Sequence, residues 1–144
     1  MEAALREAEQ AAEKGEVPVG AVVTREGQIV GRGHNLVESL SDPTAHAEVI
    51  AITAACETIK SKSLKGCSLY VTLEPCPMCA GAVVLSRLDR LVFGAFDEKA
   101  GSASTLYNIV QDTRLNHNVA VVSGLGAERA AALLTAFFKP KRGR

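Results

Sequence analysis

The sequence predicts an α/β fold: a three-layer sandwich in which a five-stranded mixed sheet is flanked by helices. Two observations carry this. Short β-rich runs alternate with stretches of strong helix formers along the whole chain. The first two β-rich runs are separated only by a tight turn, so they pair as a hairpin and make the sheet mixed rather than purely parallel. With 144 residues, 47% of them hydrophobic and 22% charged, the chain forms one domain, 1–144, with a real core and no sign of disorder.

Each element has its own signal. Residues 2–14 are rich in Ala, Glu and Leu, with Leu5, Ala8 and Ala12 on one face, and Gly15 ends this helix. Residues 17–24 read as a strand, 25–28 as a turn, and Ile29-Val30 as the start of the returning strand. A polar loop covers 34–43. Asp42 or Thr44 then caps a helix over about 45–61, with Val49, Ile52, Cys56 and Ile59 at helical spacing on its buried face. Residues 68–73 form a third strand, broken by Glu74-Pro75-Cys76-Pro77. Pro77 suits the first position of a helix over 78–86, where no N–H is needed. Residues 91–95 and 119–122 are strands, 96–117 a loop with a helical turn near 106–110, and 127–138 the last helix.

Composition excludes several classes. No apolar run is long enough to cross a bilayer, and the start of the chain lacks the basic and apolar segments of a signal peptide, which points to the cytoplasm and to no membrane partner. The first helix starts at Met1 with no lead-in, as in a chain shortened at that end. Four cysteines do not make a disulfide framework in a chain this long, and in a cytosolic protein a close pair is a metal or catalytic signal. Cys56 and Cys67, each alone, read as small buried hydrophobes. Net charge is zero, with 16 basic and 16 acidic residues, so the balance announces no nucleic-acid binder. The last six residues, 139–144, nevertheless carry four positive charges, enough to supply phosphate contacts.

The chemistry lies in two short motifs thirty residues apart, His46-Ala47-Glu48 and Pro75-Cys76-Pro77-Met78-Cys79. Cys76 at a helix cap and Cys79 one turn later both approach the positive end of the helix dipole, which favours thiolates. His46 and Glu48, in the first turn of another helix, lean toward its N-terminus. Two helix ends meeting there bring His46, Cys76 and Cys79 onto one Zn²⁺ ion per subunit. Three protein ligands leave a fourth position open, the mark of a catalytic rather than a structural zinc, and water there has its pKa lowered to about 7. Glu48, free of the metal, takes the proton as hydroxide attacks and returns it to the departing amine. That general base and acid role is worth roughly 10²–10⁴-fold. A structural zinc would need a fourth ligand, and His34, His117, Cys56 and Cys67 all lie at the wrong spacing. A redox pair has no use for the upstream His-x-Glu. His34 and His117, in polar loops, read as surface or turn residues.

H-x-E followed by P-C-x-x-C is the signature of zinc nucleobase deaminases. The chain resembles the bacterial tRNA adenosine deaminases, which convert the wobble adenosine of a tRNA anticodon to inosine. The similarity runs nearly end to end. It takes in Pro18-Val19-Gly20-Ala21-Val22, Asn35, the stretch 42–48, Leu69 to Cys76, Met78-Cys79-Ala80-Gly81-Ala82, Phe93-Gly94-Ala95, Asp97, Lys99, Asn116-His117 and Phe137-Phe138. The resemblance implies the cytidine deaminase-like sandwich and a homodimer whose subunits build the active site together. It implies zinc on His46, Cys76 and Cys79, and proton transfer by Glu48. By position, Asn35 would hydrogen-bond the flipped-out base, Ala47 would offer its N–H to the base edge, and the Pro75 carbonyl would receive the leaving amine. Asp97 and Lys99 would contact neighbouring nucleotides, and Phe138 with the basic tail would hold the anticodon arm.

The chain departs from the family pattern at Phe96, where a polar or basic residue is expected beside RNA, and at Ser104-Thr105 in place of Gly-Ser. Two other functions compete. A free-base deaminase for guanine or cytosine would use the same zinc chemistry but has no use for Asp97, Lys99, Phe138 and the tail. A non-catalytic RNA-binding subunit with a retained zinc would not need Glu48.

Overall fold

Between Arg25 and Gln28 the chain reverses through Glu26 and Gly27, which have φ of 51° and 79°. Positive φ at both central residues is the two-residue turn whose twist matches that of paired strands, and glycine at the second position makes it accessible. This turn joins β1 (Gly20–Arg25) to β2 (Gln28–His34). The structure, a computed structural model, describes residues 1–142, with the backbone alone at 140–142. Around the hairpin stand α1 (Glu2–Glu13), α2 (Val37–Leu40), α3 (Ala47–Ile59), β3 (Cys67–Leu73), α4 (Pro77–Leu85), β4 (Arg90–Ala95), β5 (Ala120–Ser123) and α5 (Ala127–Arg142).

The five strands lie in the order β2-β1-β3-β4-β5. β1 runs antiparallel to both β2 and β3, while β3, β4 and β5 are mutually parallel. The sheet is mixed, as the hairpin predicts. α3 and α4 pack together, with α3 lying on β1 and β2; α1 and α5 pack together, α1 on β1 and α5 on β4. Side chains of the sheet feed two apolar clusters. Ala21, Val23, Leu69, Val71 and Phe93 join the larger cluster with Ala51 and Ala55 of α3, whereas Leu5, Ala95 and Ala130 form a smaller one with Met1 and Leu133.

The registers decide where chemistry can sit. Gly20 pairs with His34, Ala21 with Val71, and Leu73 with Ala95. The end of β2, the end of β3 and the end of β4 therefore share one edge of the sheet. The segments that follow them, 35–46, 74–76 and 96–105, converge there, outside the carboxyl ends of the parallel strands, where open α/β sheets bind ligands.

Several expectations need correction. β1 begins at Gly20 rather than at residue 17, because Pro18 has no N–H and the Val19 N–H turns back to the Val17 carbonyl at 2.8 Å. The polar loop contains α2, whose N-terminal amides of Glu38 and Ser39 are satisfied from outside by Glu16, so no local cap signals it. Asp42 and Thr44 do not cap α3. The Asp42 carboxylate accepts the Thr44 N–H and hydroxyl, and His46 itself is the N-cap. The helical turn at 106–110 is absent; Leu106 and Tyr107 donate to the Gly101 carbonyl, and Ala103 bridges Asn108. Cys67 is fully buried but Cys56 only half so.

The buried face of α3 also differs. Ile52 is buried as expected, but Ala47, Ala51 and Ala55 are the fully buried residues, while Val49, Cys56 and Ile59 flank them half-buried. The cause is close approach. A Cβ on Gly31 of β2 would lie 2.5 Å from the Ala51 carbonyl oxygen and 2.6 Å from the Ala55 nitrogen. Helix backbone thus lies directly on strand backbone, and only small side chains fit between. Gly31→Ala is expected to destabilise the fold by about 1–3 kcal/mol, since backbone must move to admit the methyl. Glycine in a strand normally gains from this substitution. An unchanged urea midpoint would therefore refute the contact.

Candidate active site

His46 takes the extended conformation of an N-cap, φ −82° and ψ 149°, at the start of α3. Cys76 holds the same place on α4, with Pro77 at the first helical position and Cys79 a turn further in. The two helix N-termini meet, as the motif spacing predicts. His46 Nδ1 lies 3.6 Å from Cys76 Sγ and 3.5 Å from Cys79 Sγ. Donor atoms of the three residues fall within 4.8 Å of one another.

These distances test the fit to a metal. A tetrahedral zinc with bonds of about 2.3 Å to sulfur and about 2.0–2.1 Å to nitrogen sets the N···S edge at about 3.5–3.6 Å. Both observed separations match that edge. The donor set, two sulfurs and one imidazole, suits a borderline-soft dication. The three groups also interact directly with one another through their protons. The Cys76 thiol is held down at about 4, chiefly by the hydrogen bond from Cys79, with His46 contributing. Cys79 is pushed up by that same bond and by burial, so the pair shares a proton. His46 is raised, first by its bond to Cys76.

Glu48 is not one of the three converging donors but lies beside them, hydrogen-bonded to the Cys79 thiol, and is only 4% exposed. Burial pushes its carboxyl up to about 7. A carboxyl poised near neutrality in a cavity suits proton transfer at physiological pH. That cavity, about 550 Å³, takes in His46, Glu48, Cys76, Asn35 and Asp97 together.

The structure refines the other expected contacts. The Ala47 N–H donates to Asn35 Oδ1 at 2.9 Å. Asn35 thus already uses its carbonyl inside the protein, while its NH₂ has no partner among the described residues. The Pro75 carbonyl accepts the Ser102 N–H at 2.8 Å, leaving one lone pair. Asp97 lies in the cavity wall, and its carboxylate also accepts the N–H groups of Lys99 and Ala100, a local turn. Lys99 and Phe138 sit outside the main cavity, in a separate hollow of about 280 Å³ with Leu134 and Thr135. Phe137, not Phe138, reaches the main cavity. Of the basic tail, Lys139 is exposed, the side chains at 140–142 lie outside the description, and residues 143–144 lie outside the described residues.

Sequence reasoning missed three groups. His34 is buried, its Nδ1 2.8 Å from Glu7 Oε1 and its Nε2 2.9 Å from Lys14 Nζ, so it is not a surface residue. Glu16 and Glu74, each 1% exposed, both line the cavity and hold its loops. Glu74 had a signal, a carboxylate ending the apolar run 69–73; Glu16 had none.

Glu16 accepts the N–H groups of Glu38 and Ser39 at 3.0 and 2.6 Å and the Ser39 hydroxyl at 2.6 Å. Burial raises its carboxyl, but the bonds from Ser39 and Glu38 outweigh that and hold it below the ordinary 4.5. The stabilisation is therefore full above that value and fades as pH falls through the lowered one. Glu16→Gln is expected to cost about 1–3 kcal/mol at neutral pH. The difference in urea midpoint from the parent should close on acidification; a gap that widens in acid would contradict these bonds.

A mixed sheet with helices on both faces, two helix ends presenting His and two Cys, and a buried non-ligating Glu define the zinc-type nucleobase deaminases as a class. The family model of the MafB19-like deaminases matches residues 1–142. The tRNA-specific adenosine deaminase of Bacillus subtilis (strain 168) is 52% identical over 142 residues, covering 99% of this chain and 88% of its own length. That of Aquifex aeolicus (strain VF5) is 51% identical, covering 99% and 93%. A solved structure from work on A-to-I editing by tRNA:A34 deaminases at the wobble position of transfer RNA superposes with a TM-score of 0.89 at 42% identity, over 93% of this chain and 97% of that one. This chain belongs to the family of tRNA-specific adenosine deaminases, and its five-stranded sandwich is the cytidine deaminase-like fold.

Proposed function

We propose that this chain hydrolyses the exocyclic amine of adenosine at the wobble position of a tRNA anticodon, yielding inosine and ammonia. The observation that carries it is the arrangement of His46, Cys76 and Cys79 at zinc-ligand edges with buried, non-ligating Glu48 in the same cavity. His46, Cys76 and Cys79 would hold one zinc per subunit. When bound, such an ion lowers the pKa of a water in its open position and so supplies the nucleophile at neutral pH.

The chain's own residues do the rest. Glu48 takes the proton from the attacking water, passes it to the ring nitrogen, and returns a proton to the departing amine. The Asn35 NH₂ is placed to donate to the flipped-out base, and its Oδ1 bond to Ala47 fixes the amide plane. A base contact from the Ala47 N–H requires that this bond be shared with the substrate. The second lone pair of the Pro75 carbonyl is left to accept the amine. A loop adenosine suits the cavity, because an unpaired base is extruded at lower cost than one in a duplex. Asp97, Lys99 and Phe138 would hold its neighbours, with the basic tail on phosphates.

A homodimer in the cytoplasm completes the reading. Support for self-association comes from the outer side of α3 and α4. There Leu85 is 82% exposed beside Ile52, Cys56 and Ala82 in an open groove. No helix among the described residues is long and apolar enough to cross a membrane.

The test is to incubate the zinc-loaded protein with an anticodon stem-loop and with free guanine, cytosine and adenine, and to follow ammonia. Release from the hairpin alone is the expected result. Comparable turnover of guanine would move the substrate to a free base, and bound zinc with no release from any substrate would remove the enzyme assignment. Sedimentation of the same sample checks the dimer.

A further inference from the structure

Glu74 plays no part in the chemistry above, yet it is 1% exposed and borders the same cavity. Its carboxylate is fully engaged, and all four donors come from one loop. Oε1 accepts the Asp97 N–H at 3.1 Å and the Thr105 hydroxyl at 2.5 Å. Oε2 accepts the N–H groups of Ala103 and Thr105 at 3.1 and 2.9 Å. The loop folds tightly over it: a Cβ on Gly101 would lie 2.5 Å from the Glu74 carboxyl carbon. The Ser102 N–H ties the same loop to the Pro75 carbonyl. Between these anchors the Asp97 carboxylate turns the chain by accepting from Lys99 and Ala100.

We infer that Glu74 is a positioning residue for polynucleotide recognition: it locks the 97–105 loop so that Asp97 and Lys99 stand where they can meet the nucleotides beside the reacting base. The inference rests on the proposed RNA substrate. A carboxylate suits this task where an amide does not, because all four partners donate. Glutamine keeps the shape but offers one acceptor. Its carbonyl will take the Oε2 side, where both partners are backbone N–H groups. Its NH₂ then faces Oε1, where the Thr105 hydroxyl can reverse and accept but the Asp97 N–H cannot. Glu74→Gln thus orphans a single amide, that of the residue at the cavity wall.

The experiment uses the zinc-loaded full chain, parent and E74Q. Amide exchange at Asp97 is expected to quicken by about tenfold or more, with Ala103 and Thr105 within about threefold of the parent. The hairpin KM is expected to rise by about tenfold, kcat at saturation to stay within about threefold, and zinc content to be unchanged. A merely structural role would lower kcat and zinc retention with KM. Unchanged exchange at Asp97, or a fall in kcat at constant KM, overturns the inference. If the parent does not deaminate the hairpin, the functional reading fails, and the ratio of hairpin Kd values by fluorescence anisotropy decides this one. If E74Q does not fold, Thr105→Val removes one donor to the same oxygen. It should raise KM by a smaller factor at constant kcat, and no change in KM would count against the loop's role.

Discussion

Glu48→Ala is expected to end ammonia release from an anticodon stem-loop while the protein keeps its zinc. Loss of a positioned acid–base group costs roughly 10²–10⁴-fold. The upper end applies here, because one carboxyl serves both the attacking water and the leaving amine. Metal retention follows from geometry, since Glu48 is not among the three donors that converge. Glu48→Gln sharpens the result. It preserves volume and hydrogen bonding but cannot accept a proton, so it should be as inactive as alanine. Stability should move the other way. A carboxylate buried to this degree is costly to keep charged, and burial is the main cause of its raised pKa. The glutamine variant should unfold at an equal or higher urea concentration than the parent, as active-site residues often trade stability for function. A Glu48→Gln protein that deaminates at the parent rate would remove the mechanism, whatever its metal content.

The convergence of His46, Cys76 and Cys79 was legible in the sequence because its chemistry is local. Cys76 and Cys79 share one helical turn, and Pro77 announces where that turn begins. His46 needed only a second helix end, and the apolar periodicity after Ala45 supplied it. The fold was legible for a similar reason: the alternation of elements fixes the class, and the short turn at 25–28 fixes the antiparallel hairpin. What the sequence hid was work done at a distance. Glu16 satisfies α2 from 22 and 23 residues away, and Glu74 holds Thr105 from 31. Buried His34 bonds Glu7 across 27 residues. Nothing local distinguishes such carboxylates from solvated ones. The cap of α3 was misassigned for a related reason. Asp42 and Thr44 satisfy each other, and Asn35, from the end of β2, supplies the acceptor for the first amide of the helix. The alanine stripe of α3 was hidden because hydrophobic spacing marks large side chains. The deciding feature, Gly31 pressed against helix backbone, lies on another element.

Cys79→Ser is expected to abolish metal binding and deamination together. Cys79 has no exposed surface and sits inside the first turn of α4, where its sulfur completes the N···S edge with His46 at 3.5 Å. Serine is smaller by the difference between sulfur and oxygen and keeps the polar contact. Its hydroxyl, however, stays protonated at neutral pH and supplies no anionic donor. The remaining pair, Cys76 and His46, leaves a dication with one thiolate instead of two, so charge balance is lost as well as a bond. Even outer-sphere partners of metal ligands cost roughly 10–100-fold in affinity, so a lost thiolate should exceed 100-fold. The helix itself should survive. Pro77 still opens α4, and the Ala80 N–H still bonds the Cys76 carbonyl at 2.8 Å, so far-ultraviolet circular dichroism should match the parent. Dialysis against a weak chelator, followed by zinc analysis and the hairpin assay, separates the outcomes. A serine variant that retained zinc and activity would mean that the three donors converge without binding a common ion. Zinc retained with activity lost would instead point to another group taking the place of the thiolate and blocking the open position on which the hydrolysis depends.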